Sequence, residues 1–132
     1  MNDVEVIRVA GHLFDRSIDD AAAARFVTAE GHHLLLAYAE SEPVGMVTGI
    51  EMTDPDKGTE MFVYELGVAE RHRGRGVGTT LVTALRELAR ERGCYGMWVL
   101  ADTDNKPALA TYAAAGGTRA TNQVMLEWDL RR

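Results

Sequence analysis

Three arginines and three alternating glycines lie between a β-prone run and an amphipathic helix, in the segment RHRGRGVGTT at residues 71–80. Alternating glycines let the backbone approach a ligand closely and turn several N–H groups into one concavity. The helix that follows adds the partial positive charge of its N-terminus, and arginines can pair with phosphate oxygens. The segment therefore predicts a phosphate-binding loop. The alternative is a solvent-exposed basic loop that contains glycines but binds no ligand.

Two common phosphate-binding motifs do not fit this loop. A P-loop needs a lysine after its last glycine, and Thr79 follows Gly78 here. The dinucleotide fingerprint needs glycine at Thr79 and fails by that one position, although Asp102 stands where its acidic residue would be expected. Dinucleotide binding stays as the weaker alternative.

The hydrophobic pattern predicts the elements that must position the loop. Strands are expected at residues 4–10, 32–40, 43–52, 61–68, 95–102 and 123–130, and helices at 21–30, 77–92 and 106–115, with a polar loop at 53–59. Asp19 or Asp20 and Asn105 are the expected N-caps. Gly67, inside the most β-prone strand, predicts a bulge or a close packing contact. The order β-α-β-β-β-α-β-α-β predicts an α+β fold, a mixed sheet with helices on its faces, in one domain over residues 1–132.

Composition excludes several function classes. The net charge of −6, from 20 acidic and 14 basic residues, argues against a nucleic-acid partner and is compatible with a cationic one. No signal peptide and no membrane-spanning run is evident. The single cysteine, Cys94, suits a reducing cytoplasm, and the four histidines suggest no metal site.

Two motifs resemble the GNAT acetyltransferases. Arg73-x-x-Gly76-x-Gly78 is similar to the family's pyrophosphate loop, and Asn105, Ala108, Tyr112 and Gly116 reproduce its N-x-x-A-x-x-x-Y-x-x-x-G spacing. The order of elements matches over nearly the whole chain. The C-terminal half, from YELGVAERHRGRGVGTTL to VLADTDNKPALATYAAAGG, is similar to the type I aminoglycoside 3-N-acetyltransferases. The resemblance implies the GNAT fold, with a mixed, mostly antiparallel sheet and two splayed strands that hold the cofactor.

The resemblance also implies a set of site residues. Glu65 is the implied base and Tyr112 the implied acid, while Asn105, Ala108 and Tyr112 share one helical face by their spacing. The implied substrate contacts are Tyr64, Glu65, Asp102 and Asp104, although Asp102 and Asp104 could instead only solvate a turn. The implied contacts to acetyl-CoA are Leu66, Gly67, Val68, Arg73, Gly74, Arg75, Gly76, Val77, Gly78, Thr79, Asn105, Ala108 and Tyr112.

The implied reaction is acetyl transfer from acetyl-CoA to an aminoglycoside, at its 3-amino group, which would confer antibiotic resistance. Related enzymes are often homodimers, so the resemblance also implies a homodimer for this chain. Two alternatives stay open. One keeps the fold and changes the acceptor to another small amine, a polyamine or a protein amine. The other is a non-catalytic acyl-CoA sensor, against which the presence of both Glu65 and Tyr112 argues.

Overall fold

Four strands form a mixed sheet in this computed structural model, which describes residues 3–131. The strands lie in the order β1-β2-β3-β4. Neighbours are antiparallel from β1 to β3, and β4 runs parallel to β3. The mixed, mostly antiparallel sheet with flanking helices is thus confirmed. The strands are β1 His32–Ala39, β2 Glu42–Asp54, β3 Gly58–Val68 and β4 Met97–Val99, and the helices are α1 Asp3–Val9, α2 Asp20–Thr28, α3 Val77–Glu91 and α4 Lys106–Ala114.

Helix α3 covers one face of the sheet and builds the main core. Its buried Leu81, Leu85 and Ala89 pack against Val47, Met61 and Val63. The helix lies so close to β2 that a Cβ at Gly49 would stand 2.8 Å from Leu85 Cδ1. The small residues of β2 therefore set the approach of α3, and with it the position of the helix N-terminus.

The opposite face carries α1, a 3-10 turn at Gly11–Leu13, and α2. Ala10 and Leu13 are buried there against Met46 of β2. The prediction of a strand at residues 4–10 was wrong, because these residues form α1. Val4, Ile7 and Ala10 follow one another at three-residue spacing and so share a helical face, a pattern that the apparent alternation concealed. Asp19 does cap α2, since its Oδ1 accepts a hydrogen bond from Ala22 N at 3.0 Å.

The predicted polar loop at 53–59 is mostly strand. Strand β2 runs to Asp54 and β3 begins at Gly58, so only residues 55–57 connect them. Gly58 adopts a φ of +90°, which lets the chain reverse this tightly. Cross-strand pairing thus extends a hairpin into residues whose composition favours turns.

The prediction of a last strand at residues 123–130 was also wrong. These residues form no strand and lie exposed, with Trp128 77% and Leu130 86% accessible. Their alternation of apolar and polar residues is typical of a half-buried strand, but a strand also needs an edge to pair with. β4 offers only three residues, and the predicted strand at 95–102 is shortened to that length. Within residues 3–131, no helix is long and apolar enough to cross a membrane.

The carboxylate of Glu51 links the C-terminal end of α3 to the sheet. Glu51 Oε2 accepts hydrogen bonds from Arg92 Nε at 2.7 Å and lies 2.6 Å from His33 Nε2. The Glu51 side chain is only 13% exposed. The hydrogen bond from Arg92 is the main cause that lowers the pKa of Glu51 below its ordinary value near 4.5, while burial opposes it.

We expect Glu51→Gln to lower the free energy of unfolding by about 1 kcal/mol at neutral pH, because Arg92 is partly solvated and screened. A carboxylate whose pKa is lowered in the folded state contributes stability above its unfolded pKa and loses it as pH falls through the folded pKa. Urea unfolding from pH 7 to pH 3 should therefore show the wild-type advantage shrinking below about pH 4.5. Glu87→Gln, on the exposed face of α3, is the control. An advantage as large at pH 3 as at pH 7 would contradict the account.

Candidate active site

A β-bulge interrupts β3 at Tyr64. Thr48 of β2 pairs with Glu65, while the next residue, Gly49, pairs with Val63, so Tyr64 is the extra residue. The predicted bulge at Gly67 was therefore wrong, because Gly67 pairs in register with Met46. Gly67 serves close packing instead: a Cβ there would stand 2.1 Å from the backbone oxygen of Leu13.

The bulge decides which face of the sheet carries Glu65. Met61 and Val63 point into the core beneath α3, so strict alternation would send Tyr64 to the opposite face and Glu65 back into the core. The extra residue shifts the alternation by one position. Tyr64 and Glu65, although adjacent, consequently line one cavity on the α1–α2 face.

That cavity has a volume of about 540 Å³ and combines apolar walls with acidic groups. Its polar lining is Asp15, Arg16, Ser17, Asp19, Thr48, Tyr64 and Glu65, and its apolar lining includes Phe14, Ile18, Phe26 and Leu34. Asp15 and Tyr64 are exposed, whereas Glu65 is half-buried. A pocket of this kind can hold a small cation against carboxylates and an aromatic ring.

Glu65 is fixed at both its backbone and its carboxylate. Its N–H donates to Thr48 Oγ1 at 3.0 Å, and its Oε2 accepts from Asp15 N at 2.9 Å. No hydrogen bond to Oε1 is found among residues 3–131. The carboxylate thus keeps an acceptor in a cavity where an amine could reach it.

Beyond the bulge, β3 presents a free edge. The pairing of β3 with β4 covers only residues 61–63 and 97–99, while β3 continues to Val68, so residues 64–68 of β3 have no partner in β4. Glu65 N and Ala69 N both donate toward β2, the second to Val44 O at 2.8 Å. Backbone N–H groups along a strand alternate between its two edges. The amides of Leu66 and Val68 therefore face the edge of β3 that β4 does not pair with, whereas the Gly67 amide faces β2.

The glycine–arginine loop crosses the end of this edge. Gly74 and Gly76 adopt φ values of +76° and +81°, and a Cβ at either would meet nothing within 4 Å among residues 3–131. Arg73 Nε donates to Val68 O at 3.0 Å and ties the loop to β3. Arg75 is exposed and makes no ion pair within the described part of the chain. The loop is thus open on the side where an anion would approach.

Helix α3 begins at the loop with unpaired amides. Gly76 caps the helix without a side chain, and the first intrahelical bond joins Thr80 N to Gly76 O at 2.9 Å. The amides of Val77, Gly78 and Thr79 therefore precede the first intrahelical donor. Together with the helix dipole they form an anion site of the kind that binds phosphate.

Gly78 brings three elements together. A Cβ at Gly78 would stand 3.1 Å from Thr111 Cγ2 of α4 and 3.7 Å from side-chain carbons of Leu66 and Val68. The start of α3, the free edge of β3 and the middle of α4 therefore converge at this glycine. An elongated ligand with a phosphate at one end can extend from the loop along the free edge.

Helix α4 carries the second predicted motif. Asn105 caps it, because its Oδ1 accepts from Ala108 N at 3.2 Å. Tyr112 is half-buried and, with Val63, Val99 and Arg86, lines a second cavity of about 210 Å³. Burial raises the pKa of the Tyr112 phenol, so the phenol stays protonated at neutral pH. The structure places Tyr112 in this second cavity and Glu65 in the larger one.

The two predicted acidic contacts after β4 lie in a turn. Asp102 O accepts from Asn105 N at 3.1 Å, and Asp104 O accepts from Lys106 N at 3.0 Å. Both residues are exposed and neither lines the larger cavity. Asp15 and Thr48, which the sequence analysis did not single out, do line it. The shift of the apolar positions facing α3, from 61 and 63 to 66 and 68, was the sequence signal for the true bulge.

We expect Gly76→Ala to lower the free energy of unfolding by about 1–2 kcal/mol, because the left-handed conformation is costly for a residue with a Cβ. Gly76→Asn should cost less, since asparagine tolerates this conformation. Affinity for CoA should fall in the same order, as measured by calorimetry beside urea unfolding. Equal losses for alanine and asparagine would contradict a conformational requirement at Gly76.

Comparison with known proteins decides the family. Residues 6–116 match the model of the acetyltransferase (GNAT) family. The chain belongs to the GNAT acetyltransferase family. Acetyl-CoA is the acyl donor of this family. Its pantetheine arm fits the amides on the free edge of β3, and its phosphates fit the N-terminus of α3.

Several individual proteins are similar to this GNAT chain. It is 30% identical over 112 residues to L-2,4-diaminobutyric acid acetyltransferase of Streptomyces coelicolor, a match that covers 82% of this chain and 60% of that protein. An aminoglycoside acetyltransferase from an uncultured soil sample has a TM-score of 0.75 at 26% identity, covering 96% and 90%. Aminoglycoside N-acetyltransferase AAC(6')-Iy, in complex with a bisubstrate analogue of CoA, shares the fold with a TM-score of 0.80 at 19% identity, covering 96% and 91%.

Proposed function

We propose that this chain is an acetyl-CoA-dependent N-acetyltransferase whose acceptor is an amino group of an aminoglycoside. The observation that carries the proposal is the bulge at Tyr64. The bulge directs the Glu65 side chain into the acidic cavity. The segment of β3 that follows Glu65 carries the amides that face the free edge. An acceptor amine in the cavity and a thioester along the free edge of β3 would meet next to the bulge.

In the proposed reaction the amine nitrogen forms a bond to the acetyl carbon and the thioester C–S bond breaks. Glu65 takes the proton that leaves the nitrogen, directly or through water. Tyr112, whose partly buried phenol stays protonated at neutral pH, supplies a proton or a hydrogen bond to the sulfur. The Val68 amide donates to the acetyl oxygen, and a donor of this kind lowers a barrier by roughly 3 kcal/mol.

We assign cofactor binding to two groups of residues. The amides of Leu66 and Val68 hold the pantetheine arm, with Gly67 as the backbone link between them, and the loop from Arg73 to Thr79 holds the pyrophosphate. Asn105 and Ala108 lie beside Tyr112 on α4, where the small Ala108 leaves room for a ligand. The free edge, the two positive-φ glycines and the α3 N-terminus, whose cap Gly76 has no side chain, support this assignment.

The acceptor is proposed from charge and from the structural neighbours. Tyr64 and Glu65 lie in a cavity with Asp15. Asp102 and Asp104 are exposed and lie outside that lining, so they would contact only the part of a polycation that extends beyond the cavity. Neighbours in fold include aminoglycoside acetyltransferases. Acetylation turns an ammonium group into a neutral amide, which removes charge-assisted hydrogen bonds to RNA phosphates, so resistance would follow.

The position acetylated is a separate proposal. Resemblance in the C-terminal half supports the 3-amino group, whereas the fold is shared with a 6'-type enzyme. NMR of the purified product identifies the acylated nitrogen. Acetylation at the 6'-amine would replace the 3-amino proposal and leave the acetyltransferase proposal intact.

A small diamine is the second candidate acceptor. A relative that matches 82% of this chain acts, by its name, on L-2,4-diaminobutyric acid. A diamine of that size would fill much less of the larger cavity than an aminoglycoside would. The chain spans only 60% of that relative's length, so the acceptor has to be measured.

We also propose that the chain forms a homodimer. Val124, Leu126, Trp128 and Leu130 are 74–86% exposed, and a second copy would bury such a strip of apolar side chains. Light scattering should give twice the monomer mass of 14.5 kDa. A monomer at micromolar concentration would contradict the dimer.

The proposed function is tested by thiol release from acetyl-CoA with a panel of amines: gentamicin, sisomicin, kanamycin, 2,4-diaminobutyrate, spermidine and a lysine peptide. We expect the highest kcat/KM with an aminoglycoside. Turnover only with diaminobutyrate, spermidine or the peptide would exclude the aminoglycoside acceptor. Tight CoA binding without turnover of any amine would favour an acyl-CoA sensor.

A further inference from the structure

Thr48 is the one buried polar residue in the part of the chain that the structure describes, at 7% exposure. It lies in β2 directly opposite Glu65 and lines the larger cavity. Its hydroxyl oxygen accepts the Glu65 N–H at 3.0 Å. A buried hydroxyl is costly unless it is hydrogen-bonded, so its place beside the bulge calls for a reason.

The bulge supplies that reason. An extra residue disrupts the local ladder of backbone hydrogen bonds, and the displaced N–H groups need other acceptors. The Thr48 side chain provides an acceptor for the N–H of Glu65. A valine of the same shape would leave this N–H without a side-chain partner and weaken the preference for the bulged arrangement.

The geometry points to Thr48 as a positioning residue for Glu65. We propose that its hydroxyl holds the bulge in the one arrangement that presents the Glu65 carboxylate to the acceptor cavity. Without the bulge, alternation would turn Glu65 toward the core beneath α3. Thr48 acts through Glu65 and transfers no proton itself. This inference rests on the proposed role of Glu65 as the base.

The test compares Thr48→Val, which deletes the hydroxyl at nearly constant volume, with Thr48→Ser, which keeps it. We expect Thr48→Val to lower kcat on the order of 10- to 100-fold, as displaced catalytic groups do, with KM for acetyl-CoA unchanged. Thr48→Ser should stay close to wild type. The control is Thr53→Val, since Thr53 lies on the same strand and its hydroxyl contacts Thr59 at 2.9 Å, away from the cavity.

A second measurement needs no substrate. Amide hydrogen exchange, followed by NMR, should show the Glu65 N–H exchanging about tenfold faster in Thr48→Val, with Ala69 unaffected. This readout distinguishes loss of the hydrogen bond from global unfolding, which would expose both amides.

The outcomes separate the inference from the proposed function. Faster Glu65 exchange with an unchanged kcat would overturn the positioning role and leave the acetyltransferase proposal standing. A kcat that falls equally in Thr48→Ser would also overturn it, because the hydroxyl would not be the cause. If wild type turned over no amine, the proposed function would fail first and the positioning role with it, whatever the exchange rates.

Discussion

Replacing Glu65 with glutamine is expected to lower kcat/KM for acetyl transfer by about 10²- to 10⁴-fold, the usual contribution of a general base. Glutamine has nearly the same shape, and its amide oxygen can still accept the hydrogen bond from Asp15 N. The bulge is held through the backbone N–H of residue 65, which the substitution leaves in place. The variant therefore removes basicity and one negative charge from the cavity and little else.

Two controls isolate the chemical effect of Glu65→Gln. CoA affinity should be unchanged, because the amides of Leu66 and Val68 stay on the free edge. Glu60→Gln removes the same charge from the same strand at a position that lines neither cavity, and it should retain activity. A Glu65→Gln enzyme within threefold of wild type would exclude Glu65 as the base.

The largest expected effect on stability comes from Gly67→Ala. The new Cβ would stand 2.1 Å from the Leu13 oxygen and 3.4 Å from Met46 Cε. The first of these contacts is with backbone, which cannot rotate away as a side chain could. We expect a loss of about 3 kcal/mol in the free energy of unfolding, measured by urea denaturation.

Activity of Gly67→Ala should fall as well. Leu13 ends the 3-10 turn that leads into Asp15, whose N–H holds the Glu65 carboxylate. Gly96→Ala is the matched control, because a Cβ there would meet nothing within 4 Å among residues 3–131, and it should change stability by no more than about 0.5 kcal/mol. Equal stability of the two variants would show that the turn moves aside freely.

The elements around the loop could be predicted from sequence because they depend on local order. A strand, alternating glycines and a helix follow one another directly at residues 61–92, and the structure has them in that order. The N-caps Asp19 and Asn105 were predictable for the same reason, since a cap and the backbone N–H that donates to it are three residues apart.

Features that depend on distant partners could not be predicted in this way. The bulge at Tyr64 requires Thr48, sixteen residues earlier, and Gly67 requires Leu13, fifty-four residues earlier. Residues 123–130 have the pattern of a strand, but pairing also requires a free edge of sufficient length. Residues 4–10 fit both periods, and packing against the sheet selects the helix.

The most direct measurement is the time course of CoA thiol release from acetyl-CoA with sisomicin, for wild type beside Glu65→Gln. The account predicts rapid release by wild type that depends on sisomicin, a monoacetylated product by mass spectrometry, and a loss of at least about 100-fold in the variant. Release that does not depend on the amine, or that is equal in the two proteins, would contradict it.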